Sequence, residues 1–529
     1  VGQHSGQIPQ EIEELWEIPI LSPYGKQRKR QWNPYQPGEE IIWQQELQKQ
    51  EEIGKMIEQN DEMESLLVEE LVALPDLTTI LQMWEMQQPG NMQDWFFLKR
   101  FVLGFSRMVR ILEKNQLSSL LTEGEALGLE QLIAMLQPKP PLTPSFSLLD
   151  GYSATYETLW RSLQQSERAL RLMVERRRKQ MSILLGKKPN HLGEWSWNNQ
   201  DKEIPQELQE ELILLRQTQW ERLYGLPEAK EEQTKREECE QLRQELEKEA
   251  EQVLYRLYQR CKPFREILRE WGQRIGEFDF SFAKWRKART WQGVRPNYTK
   301  QLNIVAGRHP LIERELQKQG QSFYPIHFSL GDETAILVGP NMGGKTVVLK
   351  TIATIVLLSQ YGFFVPATRC SLPLYSWVEL IQDHTTLSGL SSFGSEMSQL
   401  SKMLATPSFG LLLLDELARG TNPNEGAAIS TAIAEYLVRH QRPAILTTHF
   451  PEVLEVAGAS FYRMVSRSSL LDEGIPTPYQ LILMKKGEKL PQEAIQTARK
   501  LGLSEEILQK AERLLESRRE ERHGETPSQ

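Results

Sequence analysis

Gly339-Pro340-Asn341-Met342-Gly343-Gly344-Lys345-Thr346 is the stretch on which the reading of this chain turns. It fits the phosphate-loop pattern G-x-x-x-x-G-K-[ST], and its flanks supply the context that pattern needs. Ala335-Ile336-Leu337-Val338 is a short apolar run that reads as a buried strand. Residues 347–358, opening at Val347, are apolar, helix-length and free of Gly and Pro. Glycines let backbone N–H groups curl around a phosphate, and the following helix N-terminus adds a favourable dipole. In such a loop Lys345 would reach the β- and γ-phosphates of a nucleotide, and the Thr346 hydroxyl would ligate Mg²⁺. The plain alternative is a glycine turn between strand and helix, and the strand-loop-helix context favours the nucleotide.

Further stretches downstream belong with it. Leu411-Leu412-Leu413-Leu414-Asp415-Glu416 reads as a buried strand ending in two acids. Asp415 would hold Mg²⁺, directly or through water, and Glu416 would orient a water for attack on the γ-phosphate. A solvated acidic turn is the bland reading, which the nearby phosphate loop disfavours. Ala444 to Thr448 is another strand, and His449 follows it where a γ-phosphate sensor would sit. Gly420-Thr421-Asn422-Pro423-Asn424-Glu425-Gly426 turns after the acids and opens a helix, and Ser391 to Met397 passes from loop composition into a helix. From about residue 290 strand-like runs alternate with helices, the mark of an α/β domain.

The chain has 529 residues, which predicts two to four domains, and its 39% hydrophobic and 25% charged residues predict much exposed helix surface. A net charge of −8 excludes a wholly basic nucleic-acid coat but leaves room for a local basic patch. Cys239, Cys261 and Cys370 show no metal-ligand spacing, and their sparse, odd number fits a reducing cytoplasm. No apolar run reaches membrane-spanning length and no secretory signal opens the sequence; Val1 in place of Met suggests an incomplete or processed start.

Before residue 290 the pattern is helical. Met63, Leu66, Leu67, Leu71 and Leu74 recur at helical spacing, and Pro138-Lys139-Pro140-Pro141 marks a boundary. Long helices are then expected at 155–185, 206–224 and 228–271, the last dense in Glu, Lys and Arg and about 60 Å long. These read as an antiparallel arm standing away from a body. Arg176-Arg177-Arg178-Lys179 is the best nucleic-acid candidate outside the phosphate-loop region, with a solvated helix face as the competing reading.

Taken together, the motifs resemble the MutS family of DNA mismatch repair ATPases, relatives of the ABC ATPases. Gly339 to Thr351 resembles the family's G-P-N-x-G-G-K-[ST] box, and Phe364-Val365-Pro366-Ala367 its F-V-P-A strand. Ser391-x-Phe393-x-x-Glu396-Met397 resembles its S-T-F-x-x-E-M motif, and Gly307-Arg308-His309-Pro310-Leu311 the segment leading into the nucleotide domain. Asp415-Glu416 and Thr448-His449 match the magnesium and sensor motifs. The resemblance implies an adenine contact near His309, and a Ser391 that reaches across a dimer to the partner's nucleotide. Phe280-x-Phe282-Ala283-Lys284 and Gly420 to Gly426 resemble the branch without a mismatch-reading domain, here also without that branch's C-terminal Smr nuclease. The strand-forming insertion of the family's DNA clamp tip is not expected, because Gly186–Gln200 is short and different.

The expected fold is therefore an all-α core and lever with a projecting helical arm, followed by an ABC-like α/β P-loop NTPase domain. The expected bounds are 1–150 for the helical core, 151–290 for the lever with a shortened clamp, 291–490 for the ATPase and 491–529 for a helical dimerisation element. The resemblance implies a cytoplasmic, homodimeric, Mg²⁺-dependent ATPase engaging branched or unusual DNA, nucleoid-associated if DNA is its substrate. Short MutS-like proteins also accompany cobalamin-dependent aminomutases, so an ATPase that remodels a protein client is the second expectation. A purely structural coiled-coil protein leaves the ATPase motifs unexplained.

Overall fold

The computed structural model describes residues 14–60, 62–115, 117, 120–122, 124–141, 143–198, 200–201, 203–331, 333–339, 344–382, 392–419, 421–466, 479–485, 498–499 and 502–513. They group into two compact units, one of residues 1–21, 25–65 and 276–529, the other of 22–24 and 66–275. The expected class holds: helices come first and a mixed α/β region follows. Among the described residues no helix is long and apolar enough to cross a membrane.

The helical unit is built on the helix Met92–Lys114, whose start is fixed by a capping box. Asn91 accepts from the backbone N–H groups of Gln93 and Asp94, and Asp94 returns a 2.8 Å bond to Asn91 N. Its apolar face, including Trp95, Phe101, Phe105 and Met108, is fully buried, and Phe105 stacks on Trp271 at 4.5 Å. Glu125 is 9% exposed and accepts from Arg274 at 2.5 and 2.9 Å and from Thr122 N at 2.9 Å. Burial pushes the Glu125 carboxyl up, but Arg274 and Thr122 outweigh it and hold the pKa at about 2.

Within this unit the helices Ala154–Leu185 and Lys230–Cys261 lie side by side. At 32 residues each they run for about 48 Å. Ser153 caps the first by accepting from Tyr156 N, and Gly186 ends it in the left-handed conformation, φ 63°. The second ends at Cys261, short of the expected residue 271. A 3₁₀ turn at Lys262–Phe264, where Pro263 lacks an N–H, leads into the helix Arg265–Arg289.

The connection between these helices corrects two expectations. Residues 206–224 are not a helix, and the tip is not without strands. Only Gln206–Gln209 forms a helical turn; β1 (Trp195–Asn198), β2 (Ile213–Gln217) and β3 (Glu221–Gly225) make an antiparallel sheet in the order β1-β3-β2. Gln, Glu and Leu are good helix formers, which favours a helix locally. Tertiary packing overrides this: Trp195, Ile204, Leu212 and Tyr224 gather with Met181 and Leu185 into a small core. The Thr218–Glu221 turn, closed by a 2.9 Å bond from Thr218 N to Glu221 O, then folds β2 back on β3.

The other unit holds two sheets. β4 (Asn297–Tyr298), β5 (Leu302–Gly307), β6 (Ile326–Leu330) and β8 (Arg369–Leu372) form one in the order β4-β8-β5-β6. The larger contains β7 (Thr334–Val338), β9 (Val378–Ile381), β10 (Leu411–Leu414), β11 (Ala444–Thr448), β12 (Ser460–Ser466) and β13 (Tyr479–Leu483), ordered β13-β12-β7-β11-β10-β9. It is parallel except for β13. β7, β10 and β11 are buried throughout, which explains their unbroken apolar runs. The helix Glu40–Glu58 belongs to this unit: Trp43 Nε1 donates to Ser359 O at 2.7 Å and Gln50 to Gly362 O at 2.6 Å, anchoring it at the end of the helix Lys345–Gln360.

Candidate nucleotide-binding site

The parallel strands bring their carboxyl ends together, the edge at which open α/β sheets bind ligands. At the end of β7, Gly344 takes the left-handed conformation at φ 88° and caps the helix Lys345–Gln360, a backbone that favours glycine. Lys345 is 4% exposed; its ammonium donates to Gly339 O at 2.9 Å and lies 3.1 Å from Glu416 Oε1. Burial next to a carbonyl and a carboxylate fixes the position of this cation, close to the loop backbone.

β11 lies between β7 and β10 in the sheet, so the acids after β10 arrive two strands from the loop. Thr346 Oγ1 donates to Asp415 Oδ2 at 2.7 Å. Thr447 Oγ1, on β11, donates to Asp415 Oδ1 at 2.8 Å and accepts from Glu416 N at 2.8 Å. One buried hydroxyl thus holds both acids. Glu416 has φ 47°, a left-handed backbone unusual for a non-glycine residue and costing about 1–3 kcal/mol. Its carboxylate is shared by Lys345 and by Arg419, at 2.8 Å from Oε2.

The turn beyond is built to hold this shape. Ala418, also left-handed at φ 61°, donates its N–H to Glu396 Oε2 at 3.3 Å. A Cβ at Gly426 would lie 2.9 Å from Ala418 O, so only glycine lets the helix Pro423–Arg439 come this close. His449 stands exposed beyond β11, yet lost hydration holds its imidazole below the usual range. Glu416 opposes that shift and Lys345 and Arg419 reinforce it.

Of the residues singled out from sequence, Gly339, Gly344, Lys345, Thr346, Asp415 and Glu416 are brought together by the contacts above. Val347 follows in the first turn of the helix. Pro340, Asn341, Met342, Gly343 and Ser391 lie outside the described residues. His309 is 2% exposed; its Nδ1 accepts from Ile312 N at 3.3 Å as a helix cap, and its Nε2 meets Thr354 Oγ1 at 3.1 Å. With Nδ1 accepting, the neutral ring carries its proton on Nε2 and donates to Thr354. Arg176 and Lys179 are exposed on their helix. Arg177 pairs with Glu232 at 2.9 Å and donates to Pro227 O, and Arg178 donates to Leu192 O at 3.1 Å. Sequence reading missed Thr447 and Arg419. The sequence signal for Thr447 was its place next to last on a strand parallel to the acid-bearing one.

A buried lysine and a hydroxyl–carboxylate pair at a phosphate-loop helix define a P-loop NTPase site. Residues 335–518 match the family described as MutS domain V, an ATPase domain. The DNA mismatch repair protein MutS of Thermus aquaticus is 32% identical over 305 residues, covering 57% of this chain and 36% of that protein. The endonuclease MutS2 of Caldanaerobacter subterraneus subsp. tengcongensis is 33% identical over 284 residues, covering 52% of this chain and 35% of that protein. The MutS2 of Thermomicrobium roseum is 33% identical over 290 residues, covering 51% and 35%. Over residues 335–518 the chain thus carries a MutS-type ATPase domain. The chain spans little more than a third of the length of these curated relatives.

Proposed function

We propose that the chain is a Mg²⁺-dependent ATPase that works as a homodimer and couples the nucleotide state of its sites to engagement of branched or otherwise unusual DNA. The observation that carries the catalytic part is the bond network Thr346–Asp415–Thr447–Glu416 with Lys345. Thr346 Oγ1 and the Asp415 carboxylate are adjacent hard oxygen donors, which fit Mg²⁺. When bound there, the ion would neutralise charge on the β- and γ-phosphates. Lys345 binds the same phosphates in exchange for its contacts with Gly339 O and Glu416. Glu416, released from Lys345, takes up the orientation of the attacking water, while Thr447 keeps its backbone in place. His449, kept neutral by lost hydration, donates or accepts a hydrogen bond at the γ-phosphate. Ser391 and His309 are assigned to the nucleotide by family resemblance, Ser391 from the partner subunit. Residues 491–529 are assigned to dimerisation on the same ground.

DNA engagement is assigned to the helical pair through Arg176 and Lys179, the exposed half of the basic run. A protein client is the second reading; it is favoured by the internal use of Arg177 and Arg178, which halves the cationic surface left for phosphates. Binding to duplex, single-stranded and four-way-junction DNA, with ADP and with a non-hydrolysable ATP analogue at several salt concentrations, tests the choice. A nucleotide-dependent preference for one structure is expected. Binding that is weak, structure-blind and erased by moderate salt would transfer the function to a protein client. A cytoplasmic, nucleoid-associated location goes with the DNA reading.

A further inference from the structure

We propose that Arg419 is a positioning residue for ATP hydrolysis: its guanidinium holds one oxygen of the Glu416 carboxylate, so that the other is aimed at the attacking water. This inference rests on the ATPase reading above. Two cations share the carboxylate. Lys345 Nζ lies 3.1 Å from Oε1, and Arg419 Nη1 donates to Oε2 at 2.8 Å. Nucleotide treats the two differently. Lys345 belongs to the phosphate loop and is drawn to the β- and γ-phosphates, whereas Arg419 lies in the turn after the acids. Oε1 is then released on the side where the ammonium stood, next to the loop, while Oε2 stays tied. A carboxylate fixed through one oxygen presents the other as an acceptor in a set direction, which is what orienting a water requires.

The turn that carries Arg419 is anchored. Arg419 N donates to Glu416 O at 3.3 Å and closes it, and Ala418 N donates to Glu396 Oε2 at 3.3 Å. Ser430 Oγ, on the helix Pro423–Arg439, donates to Leu417 O at 3.1 Å. Leu417 and Ala418 are buried between the two charged residues. The guanidinium thus folds back onto its own turn from a fixed backbone. Thr447 bonds the backbone N–H of Glu416 and leaves its carboxylate free to rotate; Arg419 removes that freedom. The Arg419 side chain is 57% exposed and that of Glu416 14%. An ion pair open to water on one side contributes little to stability, so a purely structural role explains the contact poorly. Directing a catalytic carboxylate needs orientation more than binding strength, and one charge-assisted bond supplies it.

Arg419→Ala and Arg419→Lys in the full chain test it, by steady-state and single-turnover cleavage of Mg²⁺-ATP. Arg419→Ala should lower kcat roughly three- to thirtyfold, short of the hundredfold that a misplacement of about 1 Å can cost, because water partly replaces an exposed guanidinium. KM, and ATP affinity by calorimetry, should stay within about twofold, and the thermal melts should coincide within about 2 °C. Arg419→Lys, which restores one donor, should recover part of the rate. On a Glu416→Gln background Arg419→Ala should slow the single turnover no further, since the two residues act through one group. An unchanged or raised kcat in Arg419→Ala, beside a slow Glu416→Gln, would overturn the proposal and leave the ATPase reading standing. A raised KM at constant kcat would overturn it by placing Arg419 on the nucleotide itself. A further loss on the Glu416→Gln background would overturn it by showing that Arg419 acts without Glu416. A wild type that does not turn over Mg²⁺-ATP would overturn both readings together.

Discussion

Replacing Thr447 with Val probes the one hydroxyl that holds both acids of the site. Val keeps the shape and removes Oγ1, so the change deletes polar contacts without opening a cavity. Two bonds are lost. The bond to Asp415 Oδ1 is charge-assisted, and such bonds contribute about 1.5–3 kcal/mol. The Glu416 N–H is left without its acceptor, at a cost of roughly 1–2 kcal/mol when partly buried. Thr447 itself is 0% exposed, so water cannot replace the hydroxyl directly. The total is about 2.5–5 kcal/mol, or roughly 5–20 °C in the melting of a domain of this size. Catalysis should suffer further, because Glu416 sits in a left-handed backbone that the Thr447 contact supports. A small displacement of such a group lowers kcat by about ten- to a hundredfold. The assays are a thermal melt and steady-state ATP turnover across a Mg²⁺ titration, with Thr447→Ser as the control that restores the hydroxyl. Unchanged melting and turnover in Thr447→Val would refute the claim that this bond network organises the site.

Three other outcomes follow from the same contacts. Lys345→Ala should abolish measurable nucleotide binding by calorimetry while leaving the fold intact, and normal affinity would remove the loop from the site. Glu125→Gln should destabilise the helical unit by roughly 3 kcal/mol at neutral pH, since the folded carboxyl titrates at about 2 against a usual value of 4.5. Its folded pKa is depressed, so that stability is present above pH 4.5 and declines below it; the gap between wild type and variant in urea melts should shrink to roughly 2 kcal/mol by pH 3.5. A pH-independent gap would show that the Arg274 pair is not its origin. Neutralising Arg176 and Lys179 together should weaken DNA binding and flatten its salt slope by about two counterions at most, whereas neutralising Arg177 should instead lower thermal stability, read in the same melts.

The candidate nucleotide site at the end of the sheet was legible because its motifs are local. A phosphate loop needs a contiguous run from Gly339 to Thr346, and Asp415-Glu416 announce themselves by ending a four-leucine strand. Thr447 was not legible as a functional residue. Its role exists only because parallel pairing sets β11 beside β10, 31 and 32 residues away from its bonding partners. The same holds for the helix Glu40–Glu58, joined to the phosphate-loop helix by a Trp43–Ser359 bond across 316 residues. The sheet on β1, β2 and β3 was misread for another reason. Residues 206–224 have helix-forming composition, and a triplet such as Ile213-Leu214-Leu215 fits helix and strand equally. The burial of Trp195 against Tyr224, which decides the matter, is a tertiary fact.

Lys345, Asp415 and Glu416 are proposed to form one hydrolytic site. The most direct test compares wild type and Glu416→Gln for ATP binding and turnover in the presence of Mg²⁺. The variant should retain ATP and cleave it at a small fraction of the wild-type rate, accumulating uncleaved nucleotide on the protein. Equal turnover by the two proteins would contradict this and take Glu416 out of the reaction.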